Sequence, residues 1–137
     1  MSVEFFLDSN VLIYAISVDA REAAKRKRAM EIIGARGFGL SAQVLQEFFV
    51  VATRKIAVPM APAKARDWLE QLDDCLCLAL DRNLVKLGIA VSMRYQISYW
   101  DGAIVAAAET MGARILYTED LNHGQKYGAV LAVDPFK

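Results

Sequence analysis

Val3-Glu4-Phe5-Phe6-Leu7-Asp8-Ser9-Asn10 is the stretch from which the fold is read. Its aromatic and aliphatic run, residues 3–7, predicts a strand, and the short polar residues behind it end that strand. Outward from there, the chain alternates short strand-like runs with longer helical patterns. Residues 19–36 read as a helix with Ala23, Ala24, Met30, Ile32 and Ile33 on its apolar side. Residues 38–40 read as a second strand, and Ser41 caps a helix over 42–55 with Val44, Leu45, Phe48, Val51 and Ala52 on one face. Pro59 and Pro62 interrupt the pattern before a helix at 63–73. A third strand is expected at 75–80, then a helix at 82–96 with Leu84, Leu87, Val91 and Tyr95 at helical spacing. An Ala-rich helix over 100–111 closes on Gly112. Residues 114–117 form the fourth strand and 130–133 a candidate fifth. Strands separated by helices predict one α/β domain over residues 1–137, with a mostly parallel sheet of four to five strands covered by helices on both faces.

Composition narrows the function classes. Hydrophobic residues make up 55% of the 137 positions, and the mean hydropathy is +0.26. So apolar a chain is not intrinsically disordered, and some of its surface is expected to lie under a partner. No apolar run approaches the ~20 residues that span a bilayer. The opening Met-Ser-Val-Glu-Phe-Phe-Leu-Asp lacks the basic region of a secretory signal, so a cytoplasmic protein is expected. Lys+Arg and Asp+Glu both number 16, leaving no net charge with which to grip nucleic acid in bulk. Any such contact must come from a local basic patch or from metal ions held by carboxylates. The one dense basic run, Lys25-Arg26-Lys27-Arg28, spreads around a helix axis and reads as a solvated face.

Other signals are structural. Cys75 and Cys77 would share one face of a strand and read as small buried hydrophobes. A zinc-type site would need more Cys or His ligands, and His123 is the only histidine. The glycines between Gly34 and Gly39 lack dinucleotide-binding spacing and precede a strand; no P-loop or nucleophile elbow occurs. Trp68 and Trp100 read as core or interface residues.

Four acids stand out by placement. Asp8 follows strand one and Asp120 follows strand four, where open parallel sheets bind ligands. Hard divalent cations favour such carboxylates, although Asp8 could equally cap a helix and Asp120 sit in a turn. Glu47 lies beside Val44 and Val51 at the edge of an apolar stripe, so it must be paired, coordinated, at a cleft mouth or a boundary residue. Asp101 shares a helical face with Ile104, Val105 and Ala108, yet Ser98-Tyr99-Trp100-Asp101 also fits a capping box.

Taken together and in order, these residues resemble the PIN-domain pattern: Asp8-Ser9-Asn10, Glu47 within 41–48, Asp101 opening the Ala-rich helix, and Thr118-Glu119-Asp120. The stretch Asp120-Leu121-Asn122-His123-Gly124-Gln125, then Tyr127-Gly128 and Asp134-Pro135-Phe136, is similar to VapC-type toxins of bacterial toxin–antitoxin pairs. The resemblance covers nearly the whole chain. It implies a PIN-like fold and a toxin endoribonuclease that cuts RNA with one or two Mg²⁺ or Mn²⁺ ions, forms a homodimer and is neutralised by a VapB-type antitoxin. It implies Asp8 and Asp101 as direct metal ligands, with Glu47 and Asp120 holding a second ion or orienting water. Of the adjacent acids Glu119 and Asp120, it favours Asp120. Ser9, Asn10 and Thr118 would hold the carboxylates in place, or else serve as helix and turn caps. With a single histidine, metal-activated water is also the better mechanism on chemical grounds. Two other readings are a receiver-like phosphoryl-transfer domain and a non-catalytic RNA- or protein-binding module. The first would want paired acids after strand one and a lysine close after a late strand, and neither is present.

Overall fold

The computed structural model describes residues 2–137. Its core is a six-stranded sheet in the order β3-β2-β1-β4-β6-β5. The strands are β1 (Phe5–Leu7), β2 (Phe38–Ser41), β3 (Leu76–Leu78), β4 (Ile115–Tyr117), β5 (Lys126–Tyr127) and β6 (Val130–Val133). All neighbours pair in parallel except β5 with β6, which are antiparallel. Phe6 and Leu7 point to opposite faces of β1 and both are fully buried, so each face of the sheet is covered. The six helices are α1 (Ser9–Ala15), α2 (Ala23–Ala35), α3 (Ala42–Arg54), α4 (Pro62–Glu70), α5 (Arg82–Tyr95) and α6 (Tyr99–Thr110). α1 packs on α2 and α3, and α3 on α4; α5 and α6 pack on each other, with α6 against β2, β4 and β6. No helix among the described residues is long and apolar enough to cross a membrane.

The expected α/β architecture is present, with differences that have physical causes. α1 is a seven-residue helix begun by the Asp8 side chain, which accepts from the Ser9 amide at 2.7 Å. The sheet has six strands because residues 126–127 add a short antiparallel pair to β6. On α2 the buried residues are Ala29, Ile32 and Ile33, while Ala23, Ala24 and Met30 face solvent. The small Ala side chains of the first turn gain little by burial, so the packing of Ile32 and Ile33 sets the rotation of the helix. The cysteines are not a buried pair: Cys77 is exposed and Cys75 half-buried, because β3 is an edge strand.

α5 and α6 cross very closely. A Cβ on Gly102 would lie 2.7 Å from the Gly88 carbonyl oxygen, and one on Gly88 would lie 3.0 Å from the Ala103 Cα. Two glycines therefore let the backbones touch, and α6 is buried almost all round from Gly102 to Ala108.

Candidate active site

β2 and β3 lie on one side of β1, whereas β4 lies on the other. The chain thus reverses its direction of growth between β1 and β4, and a crevice opens at the carboxyl ends of those strands. Asp8 leaves β1 into this crevice and Thr118-Glu119-Asp120 leaves β4 beside it. The Asp8 amide donates to the Tyr117 carbonyl at 3.0 Å, and the Thr118 amide to the Val133 carbonyl at 3.0 Å, so the ladder continues to the edge of the site.

Asp8 is 4% exposed and is the centre of the network. Its Oδ2 accepts from Thr118 Oγ1 at 2.8 Å. Thr118, itself buried, accepts from the Asp120 amide at 3.1 Å and lies 3.3 Å from Asn10 Nδ2. Asn10 Nδ2 also donates to Asp120 Oδ2 at 3.2 Å. Ser9 Oγ lies 3.3 Å from Glu47 Oε1 and 3.5 Å from Asp8 Oδ1, linking α3 to the β1 acid. Glu47 is half-buried on the second turn of α3. Asp101 is half-buried in the first turn of α6, where the Ser98 hydroxyl accepts from its amide at 3.1 Å. The four predicted acids therefore come from β1, α3, α6 and the segment after β4.

Three of these acids share a common electrostatic pattern. Burial pushes Asp8 up to about 7, against the hydrogen bonds from Thr118 and the Ser9 amide, and the charges of Asp120 and Glu47 push the same way. Burial also raises Glu47, opposed by Gln43 and Ser9, with Asp101 and Asp120 adding repulsion. Asp101 is raised by burial and by Asp120, against the Ser98 hydrogen bond. Asp8, Glu47 and Asp101 thus each feel at least one other acid.

Among the described residues, no three His, Cys, Asp or Glu side chains form a ready-made metal cage. A small hard ion that keeps several of its waters needs only one or two carboxylates, so the fit turns on donor type and charge. The donors here are all oxygens, partly desolvated and mutually repelling, and a divalent cation would relieve that repulsion. Asn10 Oδ1 is buried at the same place with no hydrogen-bond partner among the described residues. The residues fit a hard divalent ion.

Two further side chains reach the site that the sequence reading did not single out. Gln43 Nε2 lies 3.5 Å from Glu47 Oε2 and 3.2 Å from the Trp100 carbonyl, tying α3 to the start of α6 beside Asp101. Its position four residues before Glu47 on one helix face was the available signal. Lys25 is not simply solvated: it pairs with Glu119 Oε2 at 3.4 Å and lies 3.1 Å from the Tyr14 hydroxyl. Nothing in the linear sequence linked α2 to the segment after β4. Glu119 is held there, half-buried against α1 and α2, whereas Asp120 meets Asn10.

Acids drawn from four separate elements to the switch point of a parallel sheet define a class of α/β domain with an acidic site. Residues 5–128 match the PIN domain, and the chain belongs to that family. No curated protein sequence matches it. Among solved structures, a toxin–antitoxin complex from Klebsiella pneumoniae superposes with a TM-score of 0.70 at 17% identity, covering 95% of this chain and 96% of that one. The VapC20 toxin of Mycobacterium tuberculosis, described as cleaving the sarcin-ricin loop, gives 0.68 at 17% identity, covering 85% and 89%. DNA-bound VapBC from Salmonella typhimurium gives 0.64 at 19% identity, covering 97% and 98%. At these identities the likeness is one of fold.

Proposed function

We propose that this chain is a metal-dependent endoribonuclease, the toxin of a toxin–antitoxin pair, which hydrolyses RNA phosphodiester bonds with Mg²⁺ or with Mn²⁺ in its place. The observation that carries the reading is the convergence on one crevice of Asp8, Glu47 and Asp101, all raised by burial, with the exposed Asp120 at its edge. Membership of a nuclease family supports it. The metal would supply an activated water and neutralise charge on the phosphate. Asp8 and Asp101 would hold it directly, and Glu47 and Asp120 would take a second ion or orient the water. Ser9, Asn10 and Thr118 fix the carboxylate orientations through the hydrogen bonds described above. The buried Asp8 carboxyl would give up its proton as the cation binds, so cleavage should rise with pH toward neutrality.

Structural likeness to complexes of VapC-type toxins supports a cognate antitoxin partner. So does a groove of about 770 Å³ beside the acids, lined by Ile13, Val18, Val51, Ile56, Val58 and Asp120. Its apolar wall and acidic end suit a peptide with apolar side chains and a basic one. A homodimer would cover the exposed Ile89 and Met93, which share a face of α5. We place the pair in the cytoplasm, where its RNA substrate is found.

The test is cleavage of total RNA by the purified, antitoxin-free protein with Mg²⁺, Mn²⁺ or chelator. Asp8→Asn and Asp101→Asn should each lower the rate by about a hundredfold or more. Variants that cut as fast as wild type would sink the site assignment, and a wild type inert with both metals would sink the nuclease reading.

A further inference from the structure

We propose that Tyr14 and Lys25 are positioning residues: they clamp Glu119 against α1 and α2 and thereby hold its neighbour Asp120 toward the acidic crevice. The proposal rests on the nuclease reading for Asp120's task.

Two adjacent acids after one strand are alternatives for the same place. Here they are sorted by what each meets. The Tyr14 hydroxyl donates to Glu119 Oε1 at 2.7 Å, and Lys25 Nζ donates to the Tyr14 oxygen at 3.1 Å and pairs with Glu119 Oε2 at 3.4 Å. Both oxygens of the Glu119 carboxylate are engaged. The ammonium also stands 4.7 Å from the Tyr14 ring centre and 5.9 Å from that of Phe136, and those two rings pack edge to face at 4.7 Å. The cation thus lies beside the Tyr14 hydroxyl and near both rings as well as the carboxylate.

Asp120 is less well secured by its own contacts. It is exposed, with Asn10 Nδ2 at 3.2 Å from its carboxylate and Thr118 Oγ1 at 3.1 Å from its amide. The three-residue segment is therefore fastened at Asp120 by Thr118 and Asn10, and at Glu119 by Tyr14 of α1 and Lys25 of α2. Without the fastening at Glu119, the backbone beside Asp120 is freed and the Glu119 charge, already in the groove wall that it shares with Tyr14 and Asp120, loses its cation. Lys25 and Glu119 are partly solvated, so the pair adds little to global stability and variants here keep the fold. Its consequence is geometric.

Tyr14→Phe, Lys25→Met, Lys25→Arg, Asp120→Asn and the Tyr14→Phe/Asp120→Asn double variant test the idea. Mn²⁺ binding to the antitoxin-free chain is measured by calorimetry, and RNA cleavage is measured across a Mg²⁺ titration. Tyr14→Phe and Lys25→Met should each weaken Mn²⁺ binding by about tenfold and raise the half-saturating Mg²⁺ by a similar factor. The rate should recover at saturating metal, and Lys25→Arg should stay near wild type. In the Asp120→Asn background, Tyr14→Phe should add nothing further.

The sign for Lys25→Met is decisive. Removing a positive charge near acids would by itself tighten Mn²⁺ binding, so unchanged or tighter binding overturns the clamp. So does additivity of the Tyr14 and Asp120 effects. If wild type cuts no RNA, the nuclease reading fails while the Mn²⁺ arm still decides the clamp.

Discussion

The Thr118 hydroxyl has one hydrogen and gives it to Asp8 at 2.8 Å, while its lone pairs face the Asp120 amide and Asn10. Valine has the same shape and can do none of this. Thr118→Val should therefore destabilise the metal-free protein by about 1–3 kcal/mol in chemical denaturation, the cost of leaving buried partners unmet. Thr118→Ser, which keeps the hydroxyl, should recover most of that loss. Asn10→Ala removes the bridge between Asp120 and Thr118 and should weaken Mn²⁺ binding by about tenfold in a calorimetric titration. At this scale the placement of the candidate residues was largely legible in the sequence. The four acids and their polar neighbours lie where strand ends and helix starts put them, and Asp8 both caps α1 and faces the crevice. Lys25 was not readable, because its partner lies 94 residues away and only the fold brings them together.

Elements carry the site through their spacing, and the tightest spacing is that of α5 against α6. Gly102 follows Asp101 directly, and a methyl there would press on the Gly88 carbonyl and the Ser92 amide. Gly102→Ala should cost about 1–3 kcal/mol in denaturant unfolding by forcing the helices apart. It should also lower RNA cleavage, since it displaces the first turn that carries Asp101. Equal stability and rate would show that the crossing is softer than its geometry implies. The strong helices and the first four strands followed from periodicity and breakers. α1 did not, because Ser9–Ala15 is short and mostly apolar, which suits a strand as well as a helix until the Asp8 cap decides. β5 has only two residues and exists by pairing with β6. The exposure of Cys77 depends on strand order, which no local pattern encodes.

Across the whole molecule, burying Asp8 couples folding to protons and metal. Its carboxyl titrates near 3.8 ordinarily and near 7 when folded, so the native chain binds the extra proton between those values. The stabilising contribution is complete below the lower value and is lost as pH rises through the upper one; Glu47 and Asp101 shift in the same direction. The melting temperature of the metal-free protein should fall from about pH 5 to about pH 7.5, reflecting a few kcal/mol, and Mg²⁺ should restore it at the higher pH. Asp8→Asn should flatten that slope, and an unaltered slope would place its origin elsewhere. The sheet order also sets a schedule. β4, which positions Asp120, leans on β6, and the Thr118 amide is tied to Val133. A ribosome that has made every acid of the site, through Asp120, has still not made the strand that seats the last of them. On the proposed function, a chain cut short after Asp120 should therefore carry all four carboxylates and show no activity toward RNA.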